Sequence, residues 1–342
     1  MRPRERRVET SGDRFSVSTS PESITNTVAV VTELSEDVVA DVVKQYDVGS
    51  LVAYWPADDG VENTNYFLST SLDAEYVLTV VESTSHHNDL MIQVLDVAHR
   101  HDLPVAPVLA SKGGPREVYR LGKPMLLSTR LPGRHINETN EKQCNAIGKF
   151  LAMFHLSTKE LDREAHQYPR DLAWLNHHAA LLQQSQSPGH QRQLEKALER
   201  ITIGLEQPAI ETLPTGIIHG DLFRDNALFD DGELSGVVDF HHTSHHYWIY
   251  DVAVAINDWC TTKQLLDTNR AVALVDGYQE IRPFEKTEIA CYPTFGLYSA
   301  VAFWVSRLAA RSVNNASRSP RSKDPDEFRR IAAQHIRGIS LF

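Results

Sequence analysis

Cysteine is scarce in this chain, with three in 342 residues, at Cys144, Cys260 and Cys291. The number is odd and the spacing fits neither a disulfide framework nor a zinc motif, so a reducing, cytoplasmic setting is expected. Long apolar runs are missing as well. Leu297 to Val305 comes closest and Ser299 interrupts it, whereas a membrane span needs about 20 apolar residues, so none is expected. No apolar stretch follows the basic opening Met1 to Arg7, and a secretory signal is not expected. Basic charge is in deficit. Lys and Arg number 34 against 45 Asp and Glu, for a formal charge of −11. That balance argues against general binding to nucleic acid or an anionic membrane, because counterion release needs a basic face. It leaves room for a local phosphate pocket. No internal repeat is visible.

What is present is ordinary globular composition, 42% apolar and 23% charged, in a length that suits two domains or one two-lobed unit. Residues 1–25, rich in Arg, Glu, Ser, Thr and Pro, predict a disordered extension. Residues 26–131 read as a β-rich lobe, with strands at Leu51–Tyr54, Tyr66–Thr70, Tyr76–Val81 and Met125–Thr129. One helix interrupts them, capped by Asn88 and carrying Leu90, Met91, Val94, Leu95 and Ala98 at helical spacing. A boundary falls near Leu131-Pro132-Gly133. Residues 132–342 read as a helical lobe holding one hairpin, turned at Asp230-Asp231-Gly232 between Ala227–Phe229 and Leu234–Val238. A last helix is signalled by Asp324 at its N-cap, Pro325 and Glu327. A cleft between the lobes is the natural ligand site.

Chemistry concentrates in His219-Gly220-Asp221-Leu222-Phe223-Arg224-Asp225-Asn226. The segment ends an apolar strand and precedes the hairpin, beyond which comes Asp239-Phe240. The pattern H-x-D-x-x-x-x-N, hairpin, D-F supplies what phosphoryl transfer from ATP needs. One carboxylate, Asp221, orients and deprotonates an acceptor hydroxyl. A carboxylate and an amide oxygen, Asp239 and Asn226, hold Mg²⁺ through hard oxygen ligands. His219 reads as a structural brace of the loop.

With these residues the chain resembles the kinase-like superfamily of aminoglycoside phosphotransferases and choline kinases, and within it the homoserine kinases of that fold. The matching segments run Gly60 to Phe67, Tyr76 to Thr79, His219 to Asn226, Asn257 to Cys260, Phe303 to Leu308 and Lys323 to Arg330. The similarity spans about residue 30 to the C-terminus. It implies an α+β, two-lobed, protein-kinase-like fold, and ATP- and magnesium-dependent phosphorylation of L-homoserine on the route to threonine. It also implies that Asp251, in a Tyr-Asp-Val-Ala run opening a helix, braces the catalytic loop.

The nucleotide-gripping parts depart from the protein-kinase pattern. Gly60 is the lone glycine where a G-x-G-x-x-G loop is expected, so Asn63 and Asn65 stand in as candidate nucleotide contacts. Thr79 occupies the place of the β3 lysine, as the homoserine kinase branch itself tends to have it. Lys112, Lys123 and Arg224 remain as candidate cations. Leu126 to Leu131 resembles the hinge that grips adenine through its backbone. A zwitterionic acceptor needs a carboxylate for its ammonium and a cation for its carboxylate, and Asp258 and Arg307 are the candidates. The cluster His241, His242, His245 and His246 reads as a loop beside the acceptor pocket, with His241 in contact with substrate. Other hydroxyl acceptors (aminoglycoside, choline, ethanolamine, protein Ser/Thr) stay open, as does a non-catalytic nucleotide-binding protein. The oligomeric state is not legible.

Overall fold

Along Thr64–Thr70 the side chains alternate between buried and half-buried, the period-2 mark of a strand with one face on a core. In the computed structural model this segment, β2, pairs with β1 (Leu51–Pro56) on one side and β3 (Glu75–Val80) on the other. Two further strands, β4 (Val118–Arg120) and β5 (Lys123–Thr129), complete an antiparallel sheet in the order β1-β2-β3-β5-β4. The structure describes residues 32–57, 63–82, 88–161, 167–182, 186–313 and 323–339. The extension expected over residues 1–25 lies outside the described residues, and so does Gly60.

The sequence reading missed one element of this lobe. Residues Glu36–Val43 form a helix, α1, that buries Val39, Val42 and Val43. Its valines resemble strand texture, but packing against Tyr66, Leu68, Leu78 and Leu127 overrides their β propensity. The second helix, α2 (Asn88–Arg100), starts at Asn88 itself, the residue expected one position earlier as its N-cap. Its buried face joins the core of the larger lobe, with Ile147, Phe150 and Leu151, rather than the core under the sheet.

The larger lobe is built from α3 (Glu141–Ser157), α4 (Leu172–Leu182), α5 (Pro188–Leu205), α6 (Trp248–Trp259), α7 (Thr268–Ile281), α8 (Lys286–Val313) and α9 (Pro325–Arg337). Gly148 and Gly277 let α3 and α7 approach backbone to backbone. A Cβ at Gly148 would overlap the carbonyl of Leu274, and one at Gly277 that of Asn145. The helix α8 is long and apolar enough to span a membrane by length and composition alone, but 72% of its most apolar window is buried in the protein, as in a core helix. The final helix carries its expected cap, with the Asp324 side chain accepting from the Asp326 N–H at 3.2 Å. Glu327 does not close a capping box; it turns to Arg307 instead.

Six short strands sit among these helices in the described residues. The pair β6 (Thr215–Ile218) and β9 (Ser244–Tyr247) is antiparallel, and so is the hairpin β7 (Ala227–Asp230) and β8 (Glu233–Val237). Asp231 and Gly232 turn the hairpin with φ of 46° and 82°, the left-handed geometry of a two-residue turn. A further short pair, β10 (Thr261–Thr262) and β11 (Leu265–Leu266), precedes α7. The chain thus takes the α+β, two-lobed form expected of it.

Candidate active site

The strand β6 ends at Ile218, and the next eight residues form the loop that carries the chemistry. Gly220 has φ of 77°, and a Cβ there would press on the His242 carbonyl at 3.0 Å. The turn therefore favours glycine. His219 is fully buried, and burial lowers its pKa, so its ring is neutral. Its Nε2 donates to the Val238 carbonyl at 3.2 Å, and its Nδ1 accepts from the Asp221 N–H at 3.3 Å. One imidazole thus ties the Asp221 loop to the residue before Asp239.

Beneath the loop lies Asp251, in the first turn of α6. Its carboxylate accepts from the backbone N–H groups of His219 and Gly220 and from His155 Nε2, at 2.9, 2.9 and 3.0 Å. Burial alone would raise its pKa, but these hydrogen bonds, that from His155 foremost, bring it below the usual value. His155 in turn meets the Tyr278 hydroxyl at 2.8 Å and stacks on Trp248. Trp259, also on α6, donates to the Leu222 carbonyl at 3.1 Å. The loop is thus pinned from the core side at His219 and Gly220 and again at Leu222.

Asn226 Nδ2 donates to the Asp221 backbone carbonyl at 2.8 Å and to its Oδ2 at 3.3 Å. That commitment leaves Oδ1 as the atom Asn226 offers to a cation. Asp239 follows β8 and stands exposed, with φ of 62°. Left-handed backbone at a non-glycine residue marks a position held by its surroundings. The Asp221 carboxyl is pushed up to about 6, first by burial and then by Asp239. His242, Arg170 and Lys323 act in the opposite direction.

Asn226 and Asp239 line a cavity of about 410 Å³ between the sheet and the helical lobe. Asn63, Asn65, Thr79 and His241 line it too, along with the residues from Leu126 to Leu131 apart from Leu127. Thr79 donates to Asn65 Oδ1 at 2.7 Å across β2 and β3, and Asn63 Oδ1 accepts from the Glu82 N–H at 3.1 Å. The candidate nucleotide contacts that are described therefore share one wall.

The candidate cations do not gather there. Lys123 pairs with Glu82, whose carboxyl it draws below its usual value against burial. Lys112 bonds the Lys44 carbonyl at 3.1 Å at the surface. Arg224 grips Asp258 through its backbone N–H, Nε and Nη2 at 2.7, 3.1 and 3.3 Å. Among the described residues, the arginines that line the cavity are Arg130 and Arg134, which sequence reasoning passed over as cations. Their signal was their position just after the hinge-like stretch. Asp258 and Arg307 are likewise engaged by protein partners and stand apart from the cavity lining. Arg307 bonds Glu327 at 2.7 Å and the Asp324 carbonyl at 2.9 Å. Of the histidine cluster, His241 lines the cavity. His246 stacks on Tyr168 and is held neutral, its pKa lowered by burial to about 3.

Two lobes, a cleft and this loop define a protein-kinase-like phosphotransferase, and the chain belongs to the phosphotransferase enzyme family, whose model matches residues 54–284. Over 90% of the chain it is 35% identical to a homoserine kinase of Pseudomonas aeruginosa (strain LESB58), covering 96% of that protein. It is 32% identical to a homoserine kinase of Neisseria meningitidis serogroup B over 89% of this chain and 98% of that one. Among solved structures, the amicoumacin kinase hAmiN in complex with AMP-PNP, Ca²⁺ and Ami superposes with a TM-score of 0.64 at 17% identity, over 90% of this chain and 95% of that one.

Proposed function

We propose that the protein is an ATP-dependent homoserine kinase, transferring the γ-phosphoryl group to the side-chain hydroxyl of L-homoserine and giving O-phospho-L-homoserine. The observation that carries this reading is that Asn226 and Asp239 line one cleft and Asn226 is hydrogen-bonded to Asp221, in a chain whose near-full-length relatives bear that name.

Asp221 accepts the proton of the attacking hydroxyl as the new O–P bond forms and the bond from the γ-phosphorus to the bridging oxygen breaks, releasing ADP. Its raised pKa makes it a stronger base than an ordinary aspartate while leaving it ionised near neutrality. Asn226 fixes the carboxylate's orientation through its Nδ2. The oxygen donors of Asn226 and Asp239 suit a hard divalent cation. Magnesium bound there would neutralise the charge developing on the phosphates. Among the described residues no group of three His, Cys, Asp or Glu is placed to hold a metal, so such an ion would draw its other ligands from the nucleotide and water. The wall of Asn63, Asn65 and Thr79 would face the phosphates, and Leu126 to Leu131 the adenine. The partner is a small molecule, and the setting is the cytoplasm.

The deciding experiment is ADP release by the purified protein with Mg·ATP, comparing L-homoserine with L-serine, L-threonine, choline, ethanolamine and kanamycin. Selective stimulation by L-homoserine is the expected result. Selective stimulation by another acceptor would retire the homoserine assignment and keep the phosphotransfer chemistry.

A further inference from the structure

Three aromatic rings adjoin the catalytic loop, and each carries a cation. Phe223 meets Phe303 edge-on with centroids 4.6 Å apart, and Phe328 lies 5.5 Å from Phe303. The Lys323 ammonium sits 4.8 Å from the Phe223 centroid, the Arg170 guanidinium 5.2 Å from Phe303, and the Arg307 guanidinium 4.4 Å from Phe328. Contact with a ring face orients a guanidinium while keeping its N–H fork in plane for a planar anion.

The three cations are not equivalent. Arg307 is spent on Glu327 and the Asp324 carbonyl, with its side chain only 9% exposed. Lys323 pairs at 2.6 Å with Asp225, which belongs to the loop and lines the cavity. Arg170 belongs to a segment laid against the loop itself. The Tyr168 N–H donates to the His245 carbonyl at 3.2 Å, and the Tyr168 ring lies 3.6 Å from where a Cβ on Gly220 would be. The Tyr298 hydroxyl fixes the Arg170 carbonyl at 2.8 Å. Arg170 and Lys323 both act on the Asp221 carboxylate electrostatically, yet neither lines the cavity that Asn226 and Asp239 share. What ties both to the loop is contact: Lys323 through Asp225 and the Phe223 ring, Arg170 through the Phe303 ring that meets Phe223.

We propose that Arg170, with Lys323 beside it, binds the carboxylate of the acceptor, so that this site selects a hydroxy acid over an amino alcohol, a choline or an aminoglycoside. The inference deepens the homoserine reading and rests on it for the acceptor's length. A guanidinium held against an aromatic floor matches a carboxylate in plane, and two cations there would repel an acceptor that carries positive charge alone.

The test uses 3-amino-1-propanol, which is homoserine without its carboxylate. Steady-state kinetics are measured on both acceptors for the wild type, Arg170→Met, Arg170→Lys and Lys323→Gln, together with KM for ATP. Arg170→Met should lose roughly 10- to 100-fold in kcat/KM on L-homoserine, the size expected of charged hydrogen bonds, and under about threefold on 3-amino-1-propanol. The loss should fall mainly on the acceptor KM. KM for ATP should stay unchanged, and Arg170→Lys should retain part of the selectivity. Equal losses on both acceptors, or a change confined to KM for ATP, would overturn the assignment. Should Arg170→Met fail to fold, Arg170→Lys and Lys323→Gln decide by the same ratio. The homoserine reading fails differently. A wild type that prefers another hydroxy acid, with the preference lost in Arg170→Met, overturns homoserine and upholds the carboxylate site. A wild type that prefers a carboxylate-free acceptor overturns both.

Discussion

The Asp251 carboxylate holds the Gly220 N–H at 2.9 Å, one residue before Asp221. A buried charge on α6 thereby sets the backbone on which the candidate base stands. Replacing Asp251 by Ala strands the His219 and Gly220 N–H groups and the His155 Nε2–H without their acceptor. Asp251→Ala should lower unfolding free energy by about 3–5 kcal/mol, the usual cost of breaking a buried charged network. Urea denaturation checks the size, and a loss below about 1 kcal/mol would show that water replaces the carboxylate.

Asp221→Asn removes the proton acceptor and keeps the shape. Turnover should drop by roughly 10²- to 10⁴-fold with KM for ATP near normal, because the candidate nucleotide contacts Asn63, Asn65 and Thr79 belong to the sheet and Asp221 does not line the cavity they share. The folded-state pKa of Asp221 is raised to about 6 from an ordinary 3.8. Its ionised form is therefore disfavoured in the folded protein above that pH, and the penalty fades as pH falls through 6. At neutral pH the Asn variant should accordingly melt no lower than the wild type, and scanning calorimetry would reveal a drop.

The same shift fixes the acid limb of the activity profile. Base catalysis needs Asp221 ionised, so kcat/KM should fall on acidification with a midpoint near 6 rather than near 4. A limb that stays flat down to pH 5 would remove Asp221 from the role of base.

Asp239 has φ of 62°, a conformation in which glycine carries less strain. Asp239→Gly should be as stable as the wild type or more so, yet nearly inactive. Any residual activity should need more magnesium, as should that of Asn226→Ala. Titration of activity against Mg²⁺ at fixed ATP measures this, and an unchanged requirement in both variants would place the metal elsewhere.

Gly148 and Gly277 predict a stability effect remote from the cleft. Gly148→Ala forces α3 and α7 apart against the Leu274 carbonyl. The expected loss is about 1–3 kcal/mol, as for overpacked cores. KM for ATP should not move in the protein that remains folded.

Local chemistry made much of this molecule legible in its sequence. The hairpin turn at Asp231-Gly232 needs two left-handed residues in a row, and the helix at Pro325 announces itself by its cap. Asp221, Asn226 and Asp239 stand at fixed spacings because one loop and one hairpin carry all three, so reading their order was enough to expect them together. Short-range rules could not find α1, whose valines take helical form only because the sheet offers them a core. Nor could they assign the cations. Whether Lys123 reaches a phosphate or Glu82, whether Arg224 or a substrate ammonium takes Asp258, and whether Arg307 meets a ligand or Glu327 are choices among partners far apart in sequence. An ion pair forms where the folded backbone brings opposite charges within about 4 Å and excludes water, and no spacing along the chain encodes that distance. The sequence by itself therefore determined the phosphotransfer loop. Only the tertiary structure decided that Arg130 and Arg134 line the cavity, while Arg170 packs on the Phe303 ring.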